Sequence, residues 1–298
     1  VTRHLLDIAD LSADELRAVL DLAQRSDLPR VLEGQGVALI FEKPSNRTRQ
    51  SMEMAVVKLG GHPVYIRREE IELDVRESVE DITRVMAGYH AVLAARTFSH
   101  GTVARMAAVS VVPVVNLLSD HSHPLQALAD VLTMQEIHGS LVSRTVAYVG
   151  DYNNVARSLA EACVLLGAHV ALGCPIGYDA SDDELVRLNA LGTGTVTQLH
   201  DAAAAIAGAV AVHTDTWTPM GQEAEERERG AVFKGFTVDA ALMAMAQPGA
   251  GFYHCLPAHR GEEVTAEVID GPHSHVFAQA HNRLNAACGA LAFLKGVR

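Results

Sequence analysis

Short apolar runs alternate along this chain with stretches in which apolar residues recur every three or four positions. The runs are Val37–Phe41, Pro63–Ile66, Ala91–Ala95 and Val111–Val115, then Thr145–Val149, His169–Leu172, Thr195–Leu199, Val210–His213 and Gly251–Cys255. Each has the length of a strand, and Val37–Phe41 is apolar enough for a buried one. Between them lie helical spacings: Leu16, Leu20 and Ala23; Met52, Ala55, Val56 and Leu59; Ile82, Val85, Met86 and Tyr89; Leu128, Val131 and Leu132. Ser12 precedes the first with Asp14 and Glu15 in its opening turn, and Pro124 stands at the favoured first position of the fourth. A charged loop is expected over Arg67–Glu77, a helix from near Ser78, another from about Thr102, another over Val155–Leu166 and a last one over roughly His275–Lys295.

Strands alternating with helices at this interval predict right-handed βαβ units and parallel sheets. The pattern restarts after Gly139, so the expected fold is α/β: two domains, each a parallel sheet flanked by helices, with a C-terminal helix packing back on the first domain. The expected spans are 1–135, 136–274 and 275–298.

In open α/β sheets ligands bind beyond the carboxyl ends of strands. The polar residues collect there: Ser45–Arg49, Arg96, His121–Gln126, Asp151–Asn154, His213–Gly221 and His254–His259. This coincidence points to one composite site. Ser45, Asn46, Arg47, Thr48 and Arg49 lie where a strand hands over to a helix. There the unpaired amides and the positive helix end favour an anion, and arginine forks match phosphate oxygens. A capped helix with two solvated arginines is the plainer alternative. His123, at a helix N-terminus, is expected to be a neutral donor able to bond a carbonyl oxygen, with a simple capping histidine nearly as common. Asn153 and Asn154 offer amides to an amino acid's carboxylate or amine, and Asp215 offers a carboxylate to an ammonium group, a plain turn aspartate being the commoner role for an isolated residue.

The remaining composition narrows the classes. A length of 298 residues with 49% hydrophobic content supports two units of ordinary size. The formal net charge of -12 disfavours nucleic acid and acidic membranes as partners, so an anionic ligand needs a local basic cluster. No run reaches transmembrane length and the first residues lack a signal peptide's order, which predicts a cytoplasmic protein. Cys163, Cys174, Cys255 and Cys288 have no paired spacing, giving no disulfide framework. No metal or other cofactor is expected: neither His121 with His123 nor His254 with Cys255 and His259 has the spacing of a zinc site, and no glycine-rich nucleotide loop occurs.

Read in order, FEKPSNRTR, HPLQ, GDYNN, DTWTPMGQE, HCLPAHRGEEV and the terminal HNR resemble the aspartate/ornithine carbamoyltransferase family, and HCLP with DxW its ornithine branch. The resemblance implies carbamoyl transfer from carbamoyl phosphate to ornithine, giving citrulline for arginine biosynthesis. It also implies an N-terminal carbamoyl-phosphate domain, a C-terminal amino-acid domain, and a homotrimer with active sites at subunit interfaces. By likeness, Ser45, Asn46, Arg47 and Thr48 take the phosphate, Arg96, His123 and Gln126 the carbamoyl group, and Arg283 completes the anion site. Asn154, Asp215, Pro219 and Met220 fall at the ornithine backbone, with Cys255 and Leu256 near its side-chain amine. Arg96, His123, Thr48 and Cys255 are the implied catalytic groups.

Three positions depart from the family's pattern. Pro219 stands where a serine is usual, Glu72 where a glutamine reaches the neighbouring subunit's phosphate, and Asn46 where a threonine lends mainly backbone. The first two keep other readings open: carbamoylation of putrescine or an acylated ornithine, or a non-catalytic phosphate or amino-acid binding protein.

Overall fold

The structure is a computed structural model that describes residues 2–218 and 226–298, the side chains of 226–228 excepted. The described chain forms two compact units, Val1–Ala129 with His281–Arg298, and Asp130–Ala280.

In the first unit the order is α1 (Ala13–Gln24), β1 (Gly36–Phe41), α2 (Asn46–Lys58), β2 (His62–Arg67), α3 (Arg68–Ile71), α4 (Val79–Ala87), β3 (His90–Arg96), α5 (His100–Val109), β4 (Val114–Leu118) and the start of α6 (Pro124–His138). Ser12 caps α1 in a reciprocal box with Glu15. The sheet is parallel in the order β2-β1-β3-β4. Strand β1 pairs on both sides, and Val37–Phe41 are buried throughout, as expected of a strand covered on both faces. The sheet order reverses direction between β1 and β3, whose ends meet at Phe41 and Arg96. That junction is the unit's switch point, where a ligand crevice opens.

The second unit contains β5 (Thr145–Val149), α7 (Asn154–Leu165), β6 (His169–Gly173), α8 (Asp182–Asn189), β7 (Thr195–Leu199), α9 (Ala202–Ile206), β8 (Ala211–Thr214), α10 (Glu226–Val232), α11 (Ala240–Met243), β9 (Gly251–His254), α12 (Ala266–Ile269) and the start of α13 (Val276–Leu294). Its sheet is parallel in the order β7-β6-β5-β8-β9. Here the switch lies between β5 and β8, which end side by side at Val149 and Thr214. The rest of α13 belongs to the first unit, where Gly289 lets it approach α1: a Cβ there would lie 2.5 Å from the Val19 carbonyl oxygen.

Three expectations needed correction. Strand β4 begins at Val114, because Val111 sits 76% exposed in the turn before Pro113. Helix α4 buries Val79, Ile82, Thr83 and Ala87, while Val85 and Tyr89 are exposed, so its inward face is rotated from the stripe read in the sequence. The Arg67–Glu77 segment is not all loop: it contains α3, and Glu72 and Asp74 follow in left-handed backbone at φ 42° and 59°. Arg105 holds this segment, bonding Asp74 and Glu80 through both arms of its guanidinium.

Candidate active site

At the first switch point Ser45 precedes α2 but its side chain caps none of the helix amides; its hydroxyl instead donates to Thr48 Oγ1 at 3.1 Å. The helix N-terminus keeps its positive end directed at the crevice. Of the two arginines here, Arg49 is diverted. Its Nε lies 2.8 Å from Glu53 Oε1 and its guanidinium stacks on the Tyr65 ring.

His123 reaches the same place from the opposite side of the sheet order. The Asn116 amide donates to the Ser122 carbonyl and Ser122 Oγ donates to Asp7, shaping the turn that ends at His123. The His123 carbonyl then accepts the first amides of α6 from Gln126 and Ala127. Arg283, from the last helix, donates to Gln126 Oε1, lies 3.4 Å from His123 Nε2 and 3.4 Å from Thr48 Oγ1. A guanidinium only donates, so His123 Nε2 accepts and its ring proton sits on Nδ1. Thr48, Arg96, His123, Gln126 and Arg283 are all buried.

The electrostatics follow from this gathering of cations. Burial pushes the His123 pKa well below its ordinary value of 6.5, and the charges of Arg283, Arg96 and Arg47 add to the shift. The imidazole is neutral, as the sequence predicted, but desolvation rather than the helix dipole is the leading cause. Half-buried Lys43 is also lowered, first by burial and then by Arg96. Such a cluster is suited to a small dianion and to an oxygen that gains negative charge.

At the second switch point Asn153 caps α7, its Oδ1 accepting from the Val155 and Ala156 amides at 2.9 and 3.1 Å. The same side chain donates through Nδ2 to Asp215 Oδ2 at 2.9 Å, and Cys255 Sγ donates to Asp215 Oδ1 at 3.0 Å. One carboxylate thus joins the ends of β5, β8 and β9. Asn154, the first residue of α7, is half-buried beside it in sequence. Leu256 stands in left-handed backbone at φ 59°, a conformation that a non-glycine residue keeps only when its surroundings hold it. Pro219 and Met220 lie outside the described residues.

Two sets of metal-capable groups occur among the described residues, Asp215 with His254 and Cys255, and His259 with Glu262 and Glu263. In the first, both ring nitrogens of His254 are engaged, Nδ1 by the Leu256 amide and Nε2 by Glu263.

Residues 3–136 match the family model described as the aspartate/ornithine carbamoyltransferase carbamoyl-P binding domain, and residues 143–294 match the Asp/Orn binding domain of the same family. The chain belongs to the aspartate/ornithine carbamoyltransferase family. An ornithine carbamoyltransferase of Parafrankia sp. is 46% identical over 98% of this chain and 96% of its own length. One of Pyrococcus furiosus, named as anabolic, is 44% identical over 99% of this chain and 96% of its own. The solved ornithine carbamoyltransferase structure from Pyrococcus furiosus superposes with a TM-score of 0.95 at 42% identity, covering 100% of this chain and 99% of that one.

Some buried polar groups that hold the loops at these strand ends escaped sequence reasoning. Arg229 donates to Asp151 Oδ2 at 2.7 Å and to the Trp217 carbonyl at 2.9 Å while lying over the Tyr178 ring. It thereby ties the turn after β5 to the segment after β8. Arg229 lies in a glutamate- and arginine-rich stretch in which no local signal marks it as buried. Glu263 and His254 are both fully buried; the sequence marks His254 as a polar residue at a strand end, and Glu263 only as part of a motif.

Proposed function

We propose that this chain is an ornithine carbamoyltransferase, transferring the carbamoyl group of carbamoyl phosphate to the side-chain amine of L-ornithine. The products are L-citrulline and phosphate, and the anabolic name of a relative supports a place in arginine biosynthesis. The observation that carries this reading is the buried cluster of Thr48, His123, Gln126 and Arg283, with the charges of Arg47 and Arg96 acting on it.

In this reading the first unit takes carbamoyl phosphate. Ser45, Asn46, Arg47 and Thr48 hold the phosphate with the α2 amides, Arg283 completes the anion site, and Arg96, His123 and Gln126 hold the carbamoyl group. The second unit takes ornithine, with Asn154, Asp215, Pro219 and Met220 at its backbone groups and Cys255 and Leu256 near the reacting amine. Domain roles follow the same division: 1–135 for carbamoyl phosphate, 136–274 for ornithine, and 275–298 returning to the first domain.

The amine, having lost its proton, attacks the carbamoyl carbon; a C–N bond forms, an oxyanion develops, and the C–O bond to phosphate breaks. Arg96, His123 and Thr48 stabilise that oxyanion, each well-aimed donor contributing roughly 3 kcal/mol. Arg47 and the α2 N-terminus stabilise the departing phosphate. The Cys255 thiol, whose hydrogen already points at Asp215, assists deprotonation of the amine by taking its proton as the carboxylate takes the thiol's, and the second proton of the attacking nitrogen leaves with the phosphate. Side chains and amides of this chain supply every one of these roles.

The working form is proposed to be a cytoplasmic homotrimer, with Glu72 in the loop directed to a neighbouring subunit. Among the described residues no helix is long and apolar enough to cross a membrane. Phosphate release from carbamoyl phosphate with a panel of amines tests the reading. Turnover with ornithine is expected. Turnover with putrescine or an acylated ornithine alone would overturn the acceptor, and no turnover with any amine would favour a binding protein.

A further inference from the structure

The Cys255–Leu256 backbone is held by two buried side chains to which the reaction assigns no part. Leu256 donates its amide to His254 Nδ1 at 2.9 Å. An amide N–H can only donate, so the His254 ring proton sits on Nε2, which faces Glu263 Oε1 at 3.0 Å. The same Oε1 accepts the His259 amide at 2.6 Å. One carboxylate oxygen therefore pins the loop after β9 at both ends, and both side chains are fully shielded from solvent. Upstream, the His254 amide donates to Gln279 Oε1 at 2.9 Å, and Gln279 Nε2 donates to Asp130 Oδ1 at 2.6 Å, so the His254 backbone is anchored to α13 and α6.

We propose that Glu263, acting through His254, is a positioning residue for the amine acceptor: it fixes the left-handed Leu256 backbone and hence the Cys255 thiol against Asp215. This rests on the ornithine reading above. What matters is where the Oε1 acceptor sits. A glutamine carbonyl oxygen can occupy the same point and accept both N–H groups, whereas an aspartate keeps the charge but withdraws the oxygen by one methylene. The residues proposed for carbamoyl phosphate belong to the other unit. A loose acceptor loop therefore raises the KM for ornithine without raising that for carbamoyl phosphate.

The test uses full-length Glu263→Gln and Glu263→Asp with steady-state kinetics in both substrates. Glu263→Asp is expected to raise the ornithine KM by about tenfold or more, the scale of effect that follows from a small misplacement of a binding group. Glu263→Gln should stay within about threefold of the parent, since both N–H groups keep their acceptor. In both, the KM for carbamoyl phosphate should remain unchanged. The positioning role is overturned by Glu263→Asp behaving as the parent, by equal losses in both substrates, or by Glu263→Gln being as impaired as Glu263→Asp. Amide exchange at Leu256 and His259 gives a readout independent of turnover, expected to quicken only in Glu263→Asp. If the parent chain fails to carbamoylate ornithine the acceptor reading falls, and unaltered exchange in Glu263→Asp overturns the loop-fixing role separately.

Discussion

Arg283 and His123 meet at 3.4 Å, a guanidinium nitrogen against the imidazole Nε2, although 160 residues separate them in sequence. The contact sets the ring's tautomer and lends a cation to the site where phosphate is proposed to bind. Replacing Arg283 by alanine removes its bonds to Gln126 and Thr48 as well. A charged donor of this kind contributes about 2 kcal/mol, so carbamoyl phosphate affinity is expected to fall by roughly tenfold to hundredfold. Calorimetric titration of the variant checks this, and unchanged affinity would remove Arg283 from the anion site.

The same ring gives a pH dependence. Its folded pKa lies well below 6.5, so the unfolded chain binds the extra proton first as pH falls. Stability therefore rises with pH through the window below 6.5 and is lost as pH drops through it. His123→Gln, which keeps a side-chain hydrogen-bonding group, should flatten that part of a melting-temperature profile between pH 7 and pH 5. An unchanged slope would mean that half-buried histidines such as His90 and His138, whose pKa burial also lowers, carry the effect.

Arg96 ends β3 with only 4% of its surface exposed, directly beside the end of β1. Arg96→Ala is expected to abolish turnover, costing about 3 kcal/mol or more of transition-state stabilisation, while leaving the fold intact. Kinetics alongside a thermal melt test both halves of the statement. Near-normal rates would exclude Arg96 from the mechanism.

Gly289 marks the tightest approach of α13 to α1, with the Val19 carbonyl oxygen and the Ala23 amide nitrogen within 2.5 and 2.8 Å of a notional Cβ. Backbone cannot yield as a side-chain tip can. Gly289→Ala should destabilise the first unit by about 1 to 3 kcal/mol, the usual cost of overpacking. Urea unfolding is the measurement, and a neutral result would show that the helix can shift aside freely.

Pro219 stands where the family's usual serine would offer a hydroxyl and an amide. Pro219→Ser is expected to keep or tighten the KM for ornithine, within about tenfold, the effect of a hydrogen bond or two. A sharp loss would mean that the segment is built around proline.

Much of this protein is fixed by local pattern. Short apolar runs such as Val37–Phe41 and Thr145–Val149, too short for helices of their own, read as strands covered on both faces, and the intervening 3.6-residue spacing supplies their crossovers. Because crossovers must be right-handed and ligands collect beyond strand ends, the sequence also marked Ser45–Arg49, Arg96, Asp151–Asn154 and Asp215 as ligand-facing. The misread positions were those where periodicity is blind: Val85 and Tyr89 have core spacing, yet the contacts of α4 choose another face. Glu53 is the local i+4 partner of Arg49 on α2, but only folding sets the Tyr65 ring under Arg49 and leaves the charge of Arg47 to act on His123. Contacts such as Arg283 with Thr48, 235 residues apart, or Glu263 with His254 inside a closed loop, depend on which strand ends become neighbours. Burial acts likewise. A histidine at a helix start is common, and the desolvation that makes His123 neutral arises only when other elements exclude water around it.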